Sequence, residues 1–147
     1  MTRADKAHAA MIAHTMNCAQ SVLTAFCEKL GLKKDLAMKV ARAFGGGMGL
    51  SKGTCGAVTG AYMVLGLALK SSGVYMKDRE EMAKAMGEFN RRFIALHGAL
   101  NCTELSGYDL SVPEEAAKAH EKGVFTNTCP GLVRDAAKIL EDLLKTK

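Results

Sequence analysis

The chain of 147 residues contains no tryptophan, two prolines, three tyrosines and five phenylalanines. Scarce proline alongside frequent alanine, leucine, lysine and methionine suits helices far better than strands. No stretch shows the strict apolar–polar alternation of a half-buried strand. An uninterrupted apolar segment is also missing from the N-terminus. MTRADKAHAAMIAHTMN carries charge and histidine where a secretory leader needs its apolar centre, so the segment is expected to be retained and the protein to be cytoplasmic. The most apolar run, Cys55 to Leu69, is uncharged but falls short of the roughly 20 residues that span a bilayer. It reads as a core helix, with no membrane insertion. Its Gly56-x-x-x-Gly60 spacing permits a close helix crossing.

Several chemical signatures are absent as well. There is no C-x-x-C pair, which removes zinc-ribbon, thioredoxin and ferredoxin patterns. Neither G-x-x-x-x-G-K-[ST] nor G-x-G-x-x-G after a strand occurs, so nucleotide binding has no support. The four histidines are scattered and no serine or cysteine hydrolase constellation is present. The net charge of +5 is dispersed over Lys29, Lys33, Lys34, Lys39 and Arg42 in one region and Arg91 and Arg92 in another. No aromatic residues interleave these charges, which argues for solvated helix faces and no nucleic acid partner.

What is there is organised around Phe44 to Leu69, FGGGMGLSKGTCGAVTGAYMVLGLAL. A glycine-rich loop, Gly45 to Gly49, leads through Lys52 and Gly53 to Cys55. Glycines let such a loop take positive φ and let other groups approach its backbone. Cys55 is then expected in the first helical turn, where unpaired N–H groups favour a thiolate over a thiol. The dipole supplies only about 0.3–1 kcal/mol, so Lys52, a metal or a second cysteine would have to add to it.

Around this stretch the pattern predicts a first helix from about Ala4 to Leu30, closed by Gly31, and a second from about Lys34 to Phe44. A third, expected to be the most buried, covers about Thr54 to Ser71. Asp78 and Glu81 have the spacing of a capping box opening a fourth, whose apolar stripe is Met82, Met86, Phe89, Phe93 and Leu96. A turn or one-turn helix holds Cys102. Ser111 and Glu114 mark another capped helix around Pro113, ending at Gly123, and Pro130 starts the last, with Cys129 at or beside its N-cap. The expectation is one all-α domain over 1–147, a bundle of about five or six helices, long enough to bury a core without disulfides or metal.

Five cysteines without a secretion signal argue for metal, redox or catalytic use over a structural disulfide framework. On a single first helix Cys18 and Cys27 would be nine residues apart, a rotation of about 900° and a rise of about 13.5 Å, so they would point to opposite sides. His14 would then share a face with Cys18, a spacing compatible with two metal ligands or with simple packing.

The elements Asn17-Cys18-Ala19-Gln20, Gly53-Thr54-Cys55-Gly56-Ala57-Val58-Thr59-Gly60, Cys102-x-Glu104-Leu105 and Cys129, in that order, resemble the C_GCAxxG_C_C family. Members of that family are about this length, and redox activity is proposed for them. The resemblance maps the four characteristic cysteines to Cys18, Cys55, Cys102 and Cys129, with Gly56, Ala57 and Gly60 as the small residues, and leaves Cys27 outside.

Three readings stay open on these residues. The thiols form a reversible disulfide, as in a thiol-based oxidoreductase, with Cys55 or Cys129 attacking and an unidentified redox partner. Alternatively, all four thiolates of Cys18, Cys55, Cys102 and Cys129 hold zinc or an iron–sulfur cluster. In the third, the bundle is an interaction module with inert cysteines. Self-association into a homo-oligomer is compatible with each. Of the five thiols, Cys55 is expected to be the most reactive.

Overall fold

The computed structural model describes residues 1–145. Eight right-handed α-helices build it: α1 (Arg3–Ile12), α2 (Cys18–Phe26), α3 (Lys34–Ala41), α4 (Gly56–Ala68), α5 (Tyr75–His97), α6 (Cys102–Ser106), α7 (Pro113–Glu121) and α8 (Cys129–Lys145). Two 3-10 turns, Glu28–Leu30 and Arg42–Phe44, follow α2 and α3, and a π turn, Val124–Thr128, runs directly into α8. No strand occurs among the described residues. One isolated antiparallel bridge pairs Thr54 with Asn101. No helix among them is long and apolar enough to cross a membrane.

The fold class agrees with expectation, but the count of five or six helices is corrected to eight. The main reason lies between Ile12 and Cys18, where the expected continuous first helix breaks without glycine or proline. His14 takes φ 56°. Asn17 then starts a new helix: its side-chain oxygen accepts the Gln20 N–H at 2.8 Å, and the Gln20 side chain accepts the Asn17 N–H at 2.9 Å. This reciprocal capping box satisfies two donors that a helix start leaves unpaired. Farther along, Asn101 caps α6 by accepting the Glu104 N–H at 2.8 Å, which makes the segment a one-turn helix, one of the two expected alternatives.

Other boundaries shift by a few residues. The expected helix over 34–44 tightens to a 3-10 turn after Ala41, and the one expected over 54–71 spans Gly56–Ala68. Asp78 lies within the first turns of α5 instead of capping it. It accepts from Ser71 Oγ at 2.6 Å and from Ser72 N–H at 2.7 Å, tying the preceding loop to the helix. Ser111 likewise donates to Asp109, and Pro113 begins α7.

Packing follows the distribution of small and large apolar residues. Helix α4 is the most apolar, and eight of its thirteen residues are buried. It crosses α2 closely because a Cβ on Gly60 would stand 2.8 Å from the Ala19 carbonyl oxygen and 3.1 Å from Val22 Cβ. Leu23, Val58, Val64 and Leu65 at this crossing join Val133 and Leu140 of α8 in the core. Helix α5 adds Phe89 and Phe93, stacked at 5.8 Å between ring centroids. Each such side chain contributes about 1.5–3 kcal/mol by leaving water.

Between Phe44 and Lys52 the backbone does something different. Gly46, Gly47, Met48, Gly49 and Leu50 all have φ between 62° and 70°, a short left-handed turn. That conformation costs an L-residue roughly 1–2 kcal/mol, which explains three glycines among the five. The turn is pinned from both sides. Gly53 N–H donates to the Gly47 carbonyl at 3.0 Å, and Ser51 Oγ donates to the Met48 carbonyl at 2.8 Å.

Candidate thiol site

Cys18, Cys55, Cys102 and Cys129 line one cavity of about 270 Å³. Each stands where a helix opens: Cys18 is the first residue of α2, Cys55 the N-cap of α4, Cys102 the first residue of α6 and Cys129 the first of α8. Cys18 is therefore not mid-helix as the sequence suggested, and Cys102 is not in a loop. Cys27 does not line the cavity. It is the C-cap of α2 and is fully buried in the core. All five cysteines are free thiols.

The segments carrying these cysteines are bound to one another by backbone. Cys55 N–H donates to the Leu100 carbonyl at 2.7 Å and Cys102 N–H to the Gly53 carbonyl at 3.0 Å, on either side of the Thr54–Asn101 bridge. Two glycines let the sulfur-bearing residues come close. A Cβ on Gly56 would fall on Cys18 Sγ, and one on Gly47 would stand 2.8 Å from Cys102 Cβ.

Electrostatically the thiols are unequal. The Cys18 sulfur accepts the S–H of Cys55 and the backbone N–H groups of Gly46, Ala19 and Cys18 itself, and these donors outweigh its burial and bring its pKa down to about 6. Cys55, the donor in that pair, is held protonated well above the usual thiol range, first by the hydrogen bond to Cys18 and then by burial. The lowered pKa thus falls on Cys18, where the sequence pointed to Cys55. Two features work against Cys55. As N-cap, Cys55 gives its proton to a neighbour that already collects three N–H groups, and Lys52 turns away to Asp109 at 3.2 Å.

Burial raises Cys102, with the charge of Cys18 adding to it and a hydrogen bond with Ser106 opposing it. Cys129 is pushed up to about 12 by burial and then by the neighbouring Cys18 and Cys102 charges. The π turn preceding α8 explains why this helix start gives its sulfur no relief, because the chain arrives already coiled and the Cys129 N–H is bonded to the Val124 carbonyl.

His14 lines the cavity too, but from the kink between α1 and α2. The i,i+4 face it was expected to share with Cys18 does not exist. Among the described residues no group of three or more His, Cys, Asp or Glu side chains is arranged to hold a metal ion.

Sequence reasoning missed Gly46 as a donor to Cys18. The signal available was the glycine run itself, which announced positive φ without saying where its N–H groups would point. It also missed Asn17-x-x-Gln20, a capping box written with Asn in place of Ser or Thr, which would have placed Cys18 at a helix start.

The family model described as "Putative redox-active protein (C_GCAxxG_C_C)" matches residues 16–143. The chain belongs to that family, and its general role is accordingly redox. No curated protein and no solved structure gave a match.

Proposed function

We propose that this protein carries out reversible thiol–disulfide chemistry, with Cys18 as the attacking thiolate and Cys55 as its resolving partner. The observation that carries the reading is the closeness of the two residues: both line the cavity, and a Cβ on Gly56, next to Cys55, would fall on Cys18 Sγ. Cys55 donates its S–H to Cys18, while the N–H groups of Gly46, Ala19 and Cys18 stabilise the charge that results. A thiolate poised near neutral pH beside a protonated thiol is what disulfide exchange needs. One sulfur attacks, and the other holds the proton until the mixed disulfide is to be resolved. Cys102 and Cys129 line the same cavity, and burial favours their protonated forms.

The reading is tested by oxidising the reduced protein in graded redox buffers and assigning the products by mass spectrometry. A reversible Cys18–Cys55 disulfide is expected, lost in both Cys18→Ser and Cys55→Ser. Five unchanged thiols across the whole range of buffers, or a product that always involves Cys27, would overturn it.

A further inference from the structure

The cavity around the thiols has a one-sided chemistry. Its apolar walls are Met11, Met16, Leu105, Leu110, Phe125 and Leu132. Besides the cysteines, its polar lining is the amide of Asn17, the hydroxyl of Ser106 and the imidazole of His14. Among the described residues no Lys, Arg, Asp or Glu side chain lines it, although the chain has 20 Lys and Arg. Four of those cations, Arg3, Lys6, Lys29 and Lys34, gather instead in a separate depression on the other side of Met16. Cys18 and Cys129 are only partly exposed and Cys55 is buried, so the sulfurs are recessed from any flat partner surface.

Resting on the thiol–disulfide reading, we propose that the oxidant accepted by Cys18 is a small uncharged disulfide that enters this cavity, and that anionic disulfides are excluded from it. A carboxylate drawn into the cavity would lose its water, find no lysine or arginine to pair with, and face the negative charge on Cys18. An uncharged disulfide with short substituents meets apolar walls and the hydrogen-bonding groups of Asn17, Ser106 and His14. The volume, at the small end for ligand sites, suits such a molecule.

The chemistry balances within this pair. The Cys18 thiolate attacks one sulfur of the substrate disulfide, forming a Cys18–substrate disulfide and breaking the substrate S–S bond. The departing thiolate takes the Cys55 proton and leaves as a thiol. The Cys55 thiolate then attacks Cys18 sulfur, forming the Cys18–Cys55 disulfide and releasing the second substrate thiolate, which takes a proton from water. The protein loses two electrons and the substrate gains them.

The test compares two probes of similar size, uncharged hydroxyethyl disulfide and dianionic dithiodiglycolate, with the full-length reduced protein. Each rate of Cys18 oxidation is divided by the rate of the same probe with dithiothreitol, which removes intrinsic reactivity. The uncharged probe is expected to react at least tenfold faster. The net charge of +5 draws anions at long range, so this preference would come from the cavity and not from the protein's overall field. Equal normalised rates, or a faster anion, overturn the exclusion while leaving thiol–disulfide exchange standing. No oxidation by either probe overturns both. As a second arm, Leu110→Lys, at a half-buried wall position, should raise the anion's rate at least fivefold. An unchanged anion rate in that folded variant would overturn the assignment of the substrate to this cavity.

Discussion

Helix α2 carries a cysteine at each end, and the two differ in nearly every respect. At its start, Cys18 faces N–H groups. Those of its own first turn are joined by that of Gly46 from the left-handed turn and by the S–H of Cys55, and its pKa falls to about 6. At its other end Cys27 sits where carbonyls emerge, its sulfur 3.8 Å from the Thr24 carbonyl oxygen. Burial raises its pKa, and the adjacent Glu28 charge adds to that. Helix polarity points both thiols in the observed directions, but the dipole alone contributes well under one pKa unit. The gap comes from what other segments deliver. The glycine-rich turn and Cys55 both converge on the start of α2, whereas the far end meets core side chains and the charges of Glu28 and Lys34.

The comparison breaks most completely if Cys18 is denied its place. In Gly56→Ala the new Cβ would fall on Cys18 Sγ and stand 2.9 Å from the Ala19 nitrogen and 3.1 Å from the Phe44 carbonyl oxygen. Backbone on two sides cannot move aside, so the cost is expected at about 1–3 kcal/mol or more, and alkylation of Cys18 at neutral pH should slow at least tenfold. Gly87→Ala is the control. That position is an exposed helical one with nothing within 4 Å, and the change should stabilise by about 0.5–1 kcal/mol. Urea unfolding and site-resolved alkylation of the two variants decide the matter, and matching losses in both would remove the special role of Gly56.

A pH series sharpens the comparison next. The Cys18 pKa is lower in the folded chain, about 6, than the roughly 8.5 of an unfolded cysteine. Its contribution to stability is therefore fully present above about 8.5 and is lost as pH falls through 6. Cys129 has the opposite sign. Its folded pKa of about 12 gives a contribution that is intact below the unfolded value and disappears as pH rises toward 12. Wild type and Cys18→Ser should accordingly differ little in urea midpoint near pH 5 and increasingly toward pH 8.5. A gap that narrows over that interval would mean Cys18 is not the thiolate.

Cys27→Ser tests the other end of α2. The hydroxyl can still reach the Thr24 carbonyl, and the site lies in the core, so a stability loss of about 1 kcal/mol is expected, with the reversible oxidation and the Cys18 alkylation profile unchanged. Disappearance of the disulfide in this variant would erase the distinction between the two ends.

Much of the fold was legible in the sequence, and little of the difference between Cys18 and Cys27. The all-helical class followed from scarce proline and frequent helix formers, and Gly31 marked a turn where the backbone takes φ of 88°. The break before Cys18 was not legible through glycine or proline because neither is there. It is made by side chains, Asn17 and Gln20, bonding to each other's backbone. The four cysteines could be singled out only through the resemblance of their elements, in order, to the family pattern. Which of them would carry charge could not, because that depends on where the Gly46 N–H and the Cys55 proton point, and both are set by tertiary packing across the α2–α4 crossing.

The smallest expected effect concerns Lys52, the residue whose sequence position beside Cys55 made it a natural cation for a thiolate. In the structure its ammonium group pairs with Asp109 at 3.2 Å, with 62% of its side chain exposed. An exposed pair of this kind is screened by water and salt. It anchors the loop before α7 to the segment before Cys55, and it does not face the sulfurs. Lys52→Ala should therefore leave the urea midpoint and the pH profile of Cys18 alkylation where they are. Lys52 also takes φ 64°, a conformation that favours glycine, so Lys52→Gly should be at least as stable as Lys52→Ala although it loses the same ion pair. If the Cys18 profile instead moves up by half a pH unit or more in both variants, the lysine does act on the thiolate at a distance, and the backbone donors at the start of α2 are not sufficient to account for the difference between Cys18 and Cys27.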